Sequence, residues 1–145
     1  MGSSIARNLA KASAKDDLLV IEPDPTYEFA ATPRAVGGIR FVQGLKENLE
    51  MSLYGLHVFK NFAQELGIDE DLVDLNFHEC GYLFLGTKDQ SKSFESNQKM
   101  LTGCGAEILL LDKEKLKALL PRFNFNDVEV GLYSPSDARI DPYSA

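Results

Sequence analysis

The chain is 145 residues long, 44% hydrophobic and 26% charged, with a formal net charge of -7; this fits one domain, or a piece of a larger one, of ordinary globular composition. The acidic balance gives no electrostatic basis for binding nucleic acid, whose phosphates require clustered Lys and Arg. No apolar run is long enough to cross a bilayer, and no basic segment followed by a cleavable apolar stretch marks a secretory signal.

The chain opens on Gly2-Ser3-Ser4. The two serines are expected to cap a first helix over residues 5–14, where Ile5, Ala6, Leu9, Ala10 and Ala14 make a stripe of small and apolar side chains. Asp16-Asp17 ends that helix, and the continuous apolar run 18–21 predicts a parallel strand covered on both faces. Pro23 and Pro25 stop the strand, because proline cannot donate to a ladder. Residues 27–40 read as an irregular loop closing on Gly37-Gly38-Ile39-Arg40. A long helix is expected over 46–66, with Leu49, Leu53, Leu56, Phe59, Phe62 and Leu66 on one face and Gly67 as its stop.

Residues 76–87 then predict a strand pair or one long strand, 91–104 a polar helix, and 107–111 a short strand. Asp112 caps a helix that runs to Leu120 and Pro121, and 128–133 reads as a last strand before the turn-rich Ser134-Pro135-Ser136-Asp137. Asp141-Pro142 has the form of a helix start. No internal repeat or low-complexity tract is present.

Gly2 and Glu22 carry the most functional information. A glycine at a helix start, followed about twenty positions on by an acidic residue at the end of an apolar strand, is the second half of a dinucleotide-binding βαβ unit. In that reading Gly2 and Ser3 present backbone N–H groups to a pyrophosphate, and Glu22 binds a ribose hydroxyl pair. The plainer reading makes Glu22 an exposed carboxylate before a proline and Gly2 an ordinary flexible terminus; the spacing of the two residues favours the ribose role. Gly37-Gly38 with Arg40 is either a second ligand contact or a simple turn with a surface arginine. His57 and His78 lack partners for catalysis or metal binding, so the catalytic residues stay unassigned and no metal site is expected. Cys80 and Cys104 form no CxxC pair and read as small, partly buried hydrophobes. The clusters Asp69-Glu70-Asp71 and Lys113-Glu114-Lys115 read as solvated faces.

The run Val20-Ile21-Glu22-Pro23-Asp24-Pro25-Thr26-Tyr27, with Thr32 and Gly37-Gly38-Ile39-Arg40, resembles the FAD-binding region of the D-amino-acid oxidase superfamily. The resemblance continues through Glu50-Met51-Ser52-Leu53, Gly81-Tyr82-Leu83-Phe84-Leu85, Glu95-Ser96-Asn97, Leu119-Leu120-Pro121 and Asp141-Pro142-Tyr143, so it covers nearly the whole chain in order. The superfamily includes sarcosine and dimethylglycine oxidoreductases. It also includes the FAD-dependent oxidoreductase-domain branch of complex I assembly, which this chain resembles most. The resemblance implies an α/β fold: a partial Rossmann-like FAD-binding domain with part of an α+β substrate domain. The expected division is a partial FAD-binding unit over 1–45, then a connecting helix and partial substrate domain over 46–145. It further implies FAD as cofactor, held by Gly2, Ser3, Glu22, Pro23, Thr32 and Gly37-Gly38, with Ile39 and Arg40 near the flavin ring. Two departures stand out: Pro33, Arg34, Ala35 and Val36 occupy a loop that carries Ser or Thr in many relatives, and Phe41-Val42 replaces a polar pair.

The implied activity is oxidation of the C–N bond of an amine or amino acid by hydride transfer to flavin. The alternative is a non-catalytic flavoprotein-fold assembly factor for a respiratory complex. An NAD-dependent enzyme is disfavoured by the long loop and glycine pair after Glu22. The expected partners are a small-molecule amine or amino-acid substrate and an electron-acceptor or assembly protein, with no nucleic acid and no membrane span; the expected location is the cytoplasm or the mitochondrial matrix. The first strand with two further glycines and a C-terminal half are absent from the sequence, so the chain reads as a fragment. A fragment of this kind is expected to be unstable and inactive alone.

Overall fold

Residues 2–12, 17–69 and 73–144 are described by a computed structural model, and they form a mixed α/β fold, as the sequence implied. Helix α1 spans Gly2–Ala12 and the short strand β1 spans Gly38–Ile39. Helices α2 (Lys46–Lys60) and α3 (Phe62–Leu66) follow, then strands β2 (His78–Glu79) and β3 (Tyr82–Gly86). A single 3₁₀ turn leads into α4 (Ser91–Gly103), then β4 (Leu109–Asp112), α5 (Lys113–Leu119), β5 (Val130–Ser134) and β6 (Ala138–Arg139).

The strands make two antiparallel three-stranded sheets, ordered β1-β6-β2 and β3-β5-β4. Side chains of β5 alternate between two helices. Val130 faces Phe94 of α4, whereas Gly131 faces Leu116 of α5, whose Cδ2 would lie 2.8 Å from a Cβ at that position. The core joins Leu49 of α2, Leu101 of α4, Leu132 of β5, and Ile39, Phe41 and Ile140 around the smaller sheet. Burying such side chains stabilises the fold by roughly 1.5–3 kcal/mol each.

Local chemistry accounts for several boundaries. The helix expected over 46–66 is broken at Asn61, whose side-chain amide donates to the His57 carbonyl at 2.8 Å while its backbone N–H donates to the same oxygen at 3.2 Å. Gly67 adopts φ 70° and closes α3, its N–H on the Gln64 carbonyl and that of Ile68 on the Ala63 carbonyl. Two strands form over 76–87 with Gly81 at φ 67° in the turn between them, but they do not pair with each other: β2 joins β6 in one sheet and β3 joins β5 in the other. Asp112 caps α5 by accepting from the Lys115 N–H at 2.9 Å, and this bond lowers the Asp112 pKa. Asp141 likewise accepts from the Tyr143 N–H at 2.9 Å, the bond expected of a capping residue.

Three expectations need correction. Residues 18–21 form no strand, because no described segment lies beside them to complete a ladder; Leu19 and Ile21 are 84% and 81% exposed. Ser3 and Ser4 lie inside α1 rather than capping it, since the helix begins at Gly2. Cys80 is an exposed free thiol at the edge of the β2–β3 turn, while Cys104 packs half-buried against the core. Met1, residues 13–16, 70–72 and Ala145 lie outside the described residues, and with them Ala14, Asp16, Glu70 and Asp71.

Asp137 ties the two sheets together. It is completely buried, and its Oδ1 accepts from the Phe41 N–H at 3.0 Å and from the Ser134 hydroxyl at 2.5 Å. Its backbone carbonyl accepts from the N–H groups of Cys80 and Gly81 at 3.1 and 2.9 Å. Oδ2 is buried without a hydrogen bond among the described residues. Burial raises the Asp137 pKa, against the lowering effects of Ser134, the Phe41 N–H and Arg40.

Two outcomes follow from these constraints. Gly37 has φ 76°, and a Cβ there would fall 2.1 Å from the Ile140 carbonyl oxygen. Gly37→Ala is therefore expected to destabilise the protein by roughly 2–3 kcal/mol, read as a lower urea midpoint. For Asp137, a folded-state pKa above the ordinary 3.8 means that the native state holds a proton which the unfolded state releases. Stability is thus highest below the ordinary carboxylate value and falls as pH rises through the interval between the unfolded and folded pKa values. Asp137→Asn keeps the Oδ1 acceptor and cannot ionise. Its urea midpoint relative to wild type should rise as pH increases above about 4 and then level off; a difference that does not change with pH would show that the carboxyl is not held neutral.

Candidate functional site

The segment after residue 21 is shaped by a chain of short-range hydrogen bonds. Glu22 Oε1 accepts from the Asp24 N–H at 3.0 Å. Asp24 Oδ1 accepts from the Thr26 N–H at 3.0 Å and from its hydroxyl at 2.6 Å, and these two bonds lower the Asp24 pKa. Thr26 Oγ1 in turn accepts from the Glu28 N–H at 3.3 Å. Tyr27 is held at φ 57°, a left-handed conformation that non-glycine residues adopt at a cost of about 1–3 kcal/mol. Arg34 closes the loop, its Nε donating to the Glu28 carbonyl at 2.9 Å and its guanidinium lying 4.6 Å from the centre of the Phe29 ring.

This loop forms one wall of a groove of about 590 Å³ whose other wall is the N-terminal turn of α1, within the usual range for small-molecule sites. Gly2 and Ser3 meet Val20, Ile21 and Glu22 there, with Thr26, Tyr27, Ala30 to Pro33 and, from far along the chain, Pro142 and Tyr143. Four of the sequence-derived site residues, Gly2, Ser3, Glu22 and Thr32, thus converge on one groove. A Cβ on Gly2 would meet nothing within 4 Å. The first N–H groups of a helix have no intrahelical partner and carry its positive dipole end, so this wall suits an anionic group. Glu22 Oε2 is left to accept hydrogen bonds. Pro23 is not among the residues lining the groove.

Gly38, Ile39 and Arg40 line a second, more open groove of about 410 Å³ with Gln43, Asn48, Ser52 and Phe59. Its polar side is fixed by Gln43 Nε2, which donates to the Arg40 carbonyl at 3.0 Å and to the Ser52 hydroxyl at 3.3 Å. The Arg40 guanidinium lies 5.9 Å from the Tyr82 ring centre. Gly38 leaves room for the Tyr82 hydroxyl, which a Cβ there would approach to 2.5 Å and push aside. Gly37 links the grooves: it bonds Ile140 across the chain and abuts Pro142, which lines the first groove.

Sequence reasoning missed Pro142, Tyr143, Gln43 and Ser52. The first two reach the groove only through the β1–β6 pairing, which no local pattern announces. Among the described residues no group of His, Cys, Asp and Glu is arranged to hold a metal ion, and no helix is long and apolar enough to cross a membrane.

An open groove between a helix N-terminus and an acidic loop is the geometry of a dinucleotide site, and the FAD dependent oxidoreductase family model matches residues 1–145. The chain belongs to that family, whose cofactor is FAD. It is 34% identical over 149 residues to FAD-dependent oxidoreductase domain-containing protein 1 of Xenopus laevis, covering 99% of this chain and 30% of that protein. It is 33% identical over 147 residues to mitochondrial dimethylglycine dehydrogenase of Homo sapiens, covering 99% of this chain and 16% of that one. Among solved structures, L-proline dehydrogenase from P. horikoshii superposes with a TM-score of 0.75 at 25% identity, over 97% of this chain and 35% of the other. Glycine oxidase from Bacillus cereus shares the fold, with a TM-score of 0.70 at 17% identity, over 98% and 38% of the two chains. The chain therefore spans between 16% and 38% of the length of these relatives.

Proposed function

We propose that this chain supplies the adenosine and pyrophosphate side of an FAD site, in a protein that oxidises the C–N bond of a small amine or amino acid. The convergence of Gly2, Ser3, Glu22 and Thr32 on one groove carries the reading. In it, Glu22 accepts hydrogen bonds from the adenosine ribose. The α1 N-terminus faces the pyrophosphate with its free N–H groups. The Thr32 hydroxyl adds a further polar contact, and Pro23 acts only by ending the extended run before the turn. Ile39 and Arg40, carried past Gly37-Gly38 by β1, stand at the flavin end, where the Arg40 charge would stabilise negative charge on a reduced ring. FAD supplies the hydride acceptor, while the protein supplies orientation and electrostatics.

The substrate class rests on the relatives, which include a dimethylglycine dehydrogenase, a proline dehydrogenase and a glycine oxidase. All act on small molecules with an amine nitrogen beside an oxidisable carbon. The layout that goes with this reading places the cofactor unit in residues 1–45 and the connecting helix with part of the substrate domain in 46–145. A mitochondrial location accords with the name of the dimethylglycine relative.

The test is to purify a protein in which the chain is completed by the first strand and C-terminal half that the family resemblance implies, titrate it with FAD, and add proline, sarcosine, dimethylglycine or glycine under anaerobic conditions. Tight FAD binding and bleaching of the visible flavin band by one of these amines is the expected result. Flavin bound but reduced by none of them would favour the non-catalytic assembly role; no flavin binding would overturn the site. Glu22→Ala removes a charge-assisted contact worth roughly 1.5–3 kcal/mol, so FAD should bind about 10- to 100-fold more weakly.

A further inference from the structure

Helix α1 has little apolar burial to hold it in place. None of its residues is buried, and Ile5 and Leu9 remain largely exposed. Yet the proposed FAD site depends on where its first turn sits, since Gly2 and Ser3 line the groove. What fixes the helix is a set of contacts to one residue of α3. Glu65 Oε2 lies 3.5 Å from Arg7 Nη2 and 3.9 Å from Lys11 Nζ, and Lys11 Nζ also donates to the Glu65 backbone carbonyl at 3.4 Å.

The other carboxylate oxygen faces α2. Glu65 Oε1 lies 3.5 Å from His57 Nε2, and Asn61 Nδ2 sits 3.4 Å from His57 Nδ1. One carboxylate therefore faces three basic side chains from two helices.

This is not an ordinary surface pair. The side chains of Arg7 and Glu65 are only 23% and 28% exposed. Arg7 Nη2 itself is buried and makes no hydrogen bond among the described residues, so the Glu65 charge is what offsets its desolvation. Removing one partner of such a group costs far more than removing one partner of an exposed pair, because the remaining charge is left uncompensated.

We propose that Glu65 is a positioning residue for FAD: its carboxylate clamps α1 to α2 and α3 through Arg7 and Lys11, and so sets the height of the α1 N-terminal turn at the pyrophosphate. The proposal rests on the FAD reading above. A shift of about 1 Å in that turn would lengthen every N–H contact to the phosphates at once, which is how a residue remote from a ligand affects its affinity.

The experiment uses the same completed protein as the FAD titration above and two readouts. Hydrogen exchange at the α1 amides, without flavin, reports the clamp alone, with the amides of β3, β5 and β4 as an internal check on folding. Quenching of flavin fluorescence on titration reports FAD affinity. Glu65→Gln should speed exchange across α1, leave the sheet unchanged, and weaken FAD about tenfold. Combining Glu65→Arg with Arg7→Glu should recover part of both losses, because the pair is restored with its sign reversed. Unchanged α1 exchange in Glu65→Gln would overturn the clamp whatever the flavin does. Faster exchange with unchanged FAD affinity would overturn the link to the cofactor. A wild type that binds no FAD, but whose α1 exchange responds to Glu65→Gln, would overturn the FAD reading itself and leave Glu65 as a purely structural anchor.

Discussion

The buried carboxylate of Asp137 is the constraint on which the architecture turns. The two sheets share no strand, and each is small: β1, β2 and β6 have two residues apiece. Strands so short make few ladder bonds, and a sheet of this size needs help from outside itself. Asp137 provides that help at the junction where β5 leaves one sheet and β6 enters the other. Its Oδ1 holds the backbone just beyond β1, and its carbonyl holds the turn between β2 and β3. Without these bonds the backbone N–H groups of Phe41, Cys80 and Gly81 would lose their partners together. Phe41 is the buried one of the three, and an unsatisfied buried donor costs roughly 1–3 kcal/mol. One residue therefore stabilises all three strands of the smaller sheet and aligns them with the larger.

The same junction fixes what the groove can be. The Ile140 N–H donates to the Gly37 carbonyl at 2.9 Å beside the β1–β6 pair, which brings Pro142 and Tyr143 to the groove that Glu22 also lines. The groove is thus assembled from the first forty residues and the last few described ones, with the intervening hundred folded behind it as a support. The two sides differ in how they are held. The far wall is pinned through backbone pairing and a buried carboxylate. The near wall, α1 and the loop after it, is held by ion pairs and by a chain of side-chain-to-backbone bonds running Glu22, Asp24, Thr26 and Glu28.

Much of this was legible in the sequence where the cause was local. Asp112 before a helix and Gly67 after one each behave as their chemistry requires within four residues. Residues 82–86 and 130–134 carry enough apolar and β-branched character to pair as strands. The reading went astray where a local pattern depends on a remote partner. Leu18-Leu19-Val20-Ile21 has the composition of a buried strand, but a strand exists only when another lies beside it, and none of the described segments does. The break at Asn61 was invisible because the apolar stripe runs on through Phe62 and Leu66 while a single side-chain amide interrupts the backbone ladder. Of the site, Gly2, Ser3, Glu22 and Thr32 could be picked out because family likeness and spacing coincide there. Pro142, Tyr143, Asp137 and Glu65 could not, since each acts across a separation that periodicity does not encode.

The exposed run 18–21 also bears on solubility. Four consecutive branched aliphatic residues with high strand propensity and no charge are the kind of segment that seeds intermolecular sheets when left uncovered. Here the run is bounded by Asp17 on one side and by Glu22 followed by Pro23 on the other. Charges and prolines at the ends of such a run act as gatekeepers that disfavour stacking of one chain on the next. Glu22 therefore stands both on the proposed cofactor groove and at the edge of this run, where its charge helps keep newly made chains apart in the crowded interval before their folding is complete.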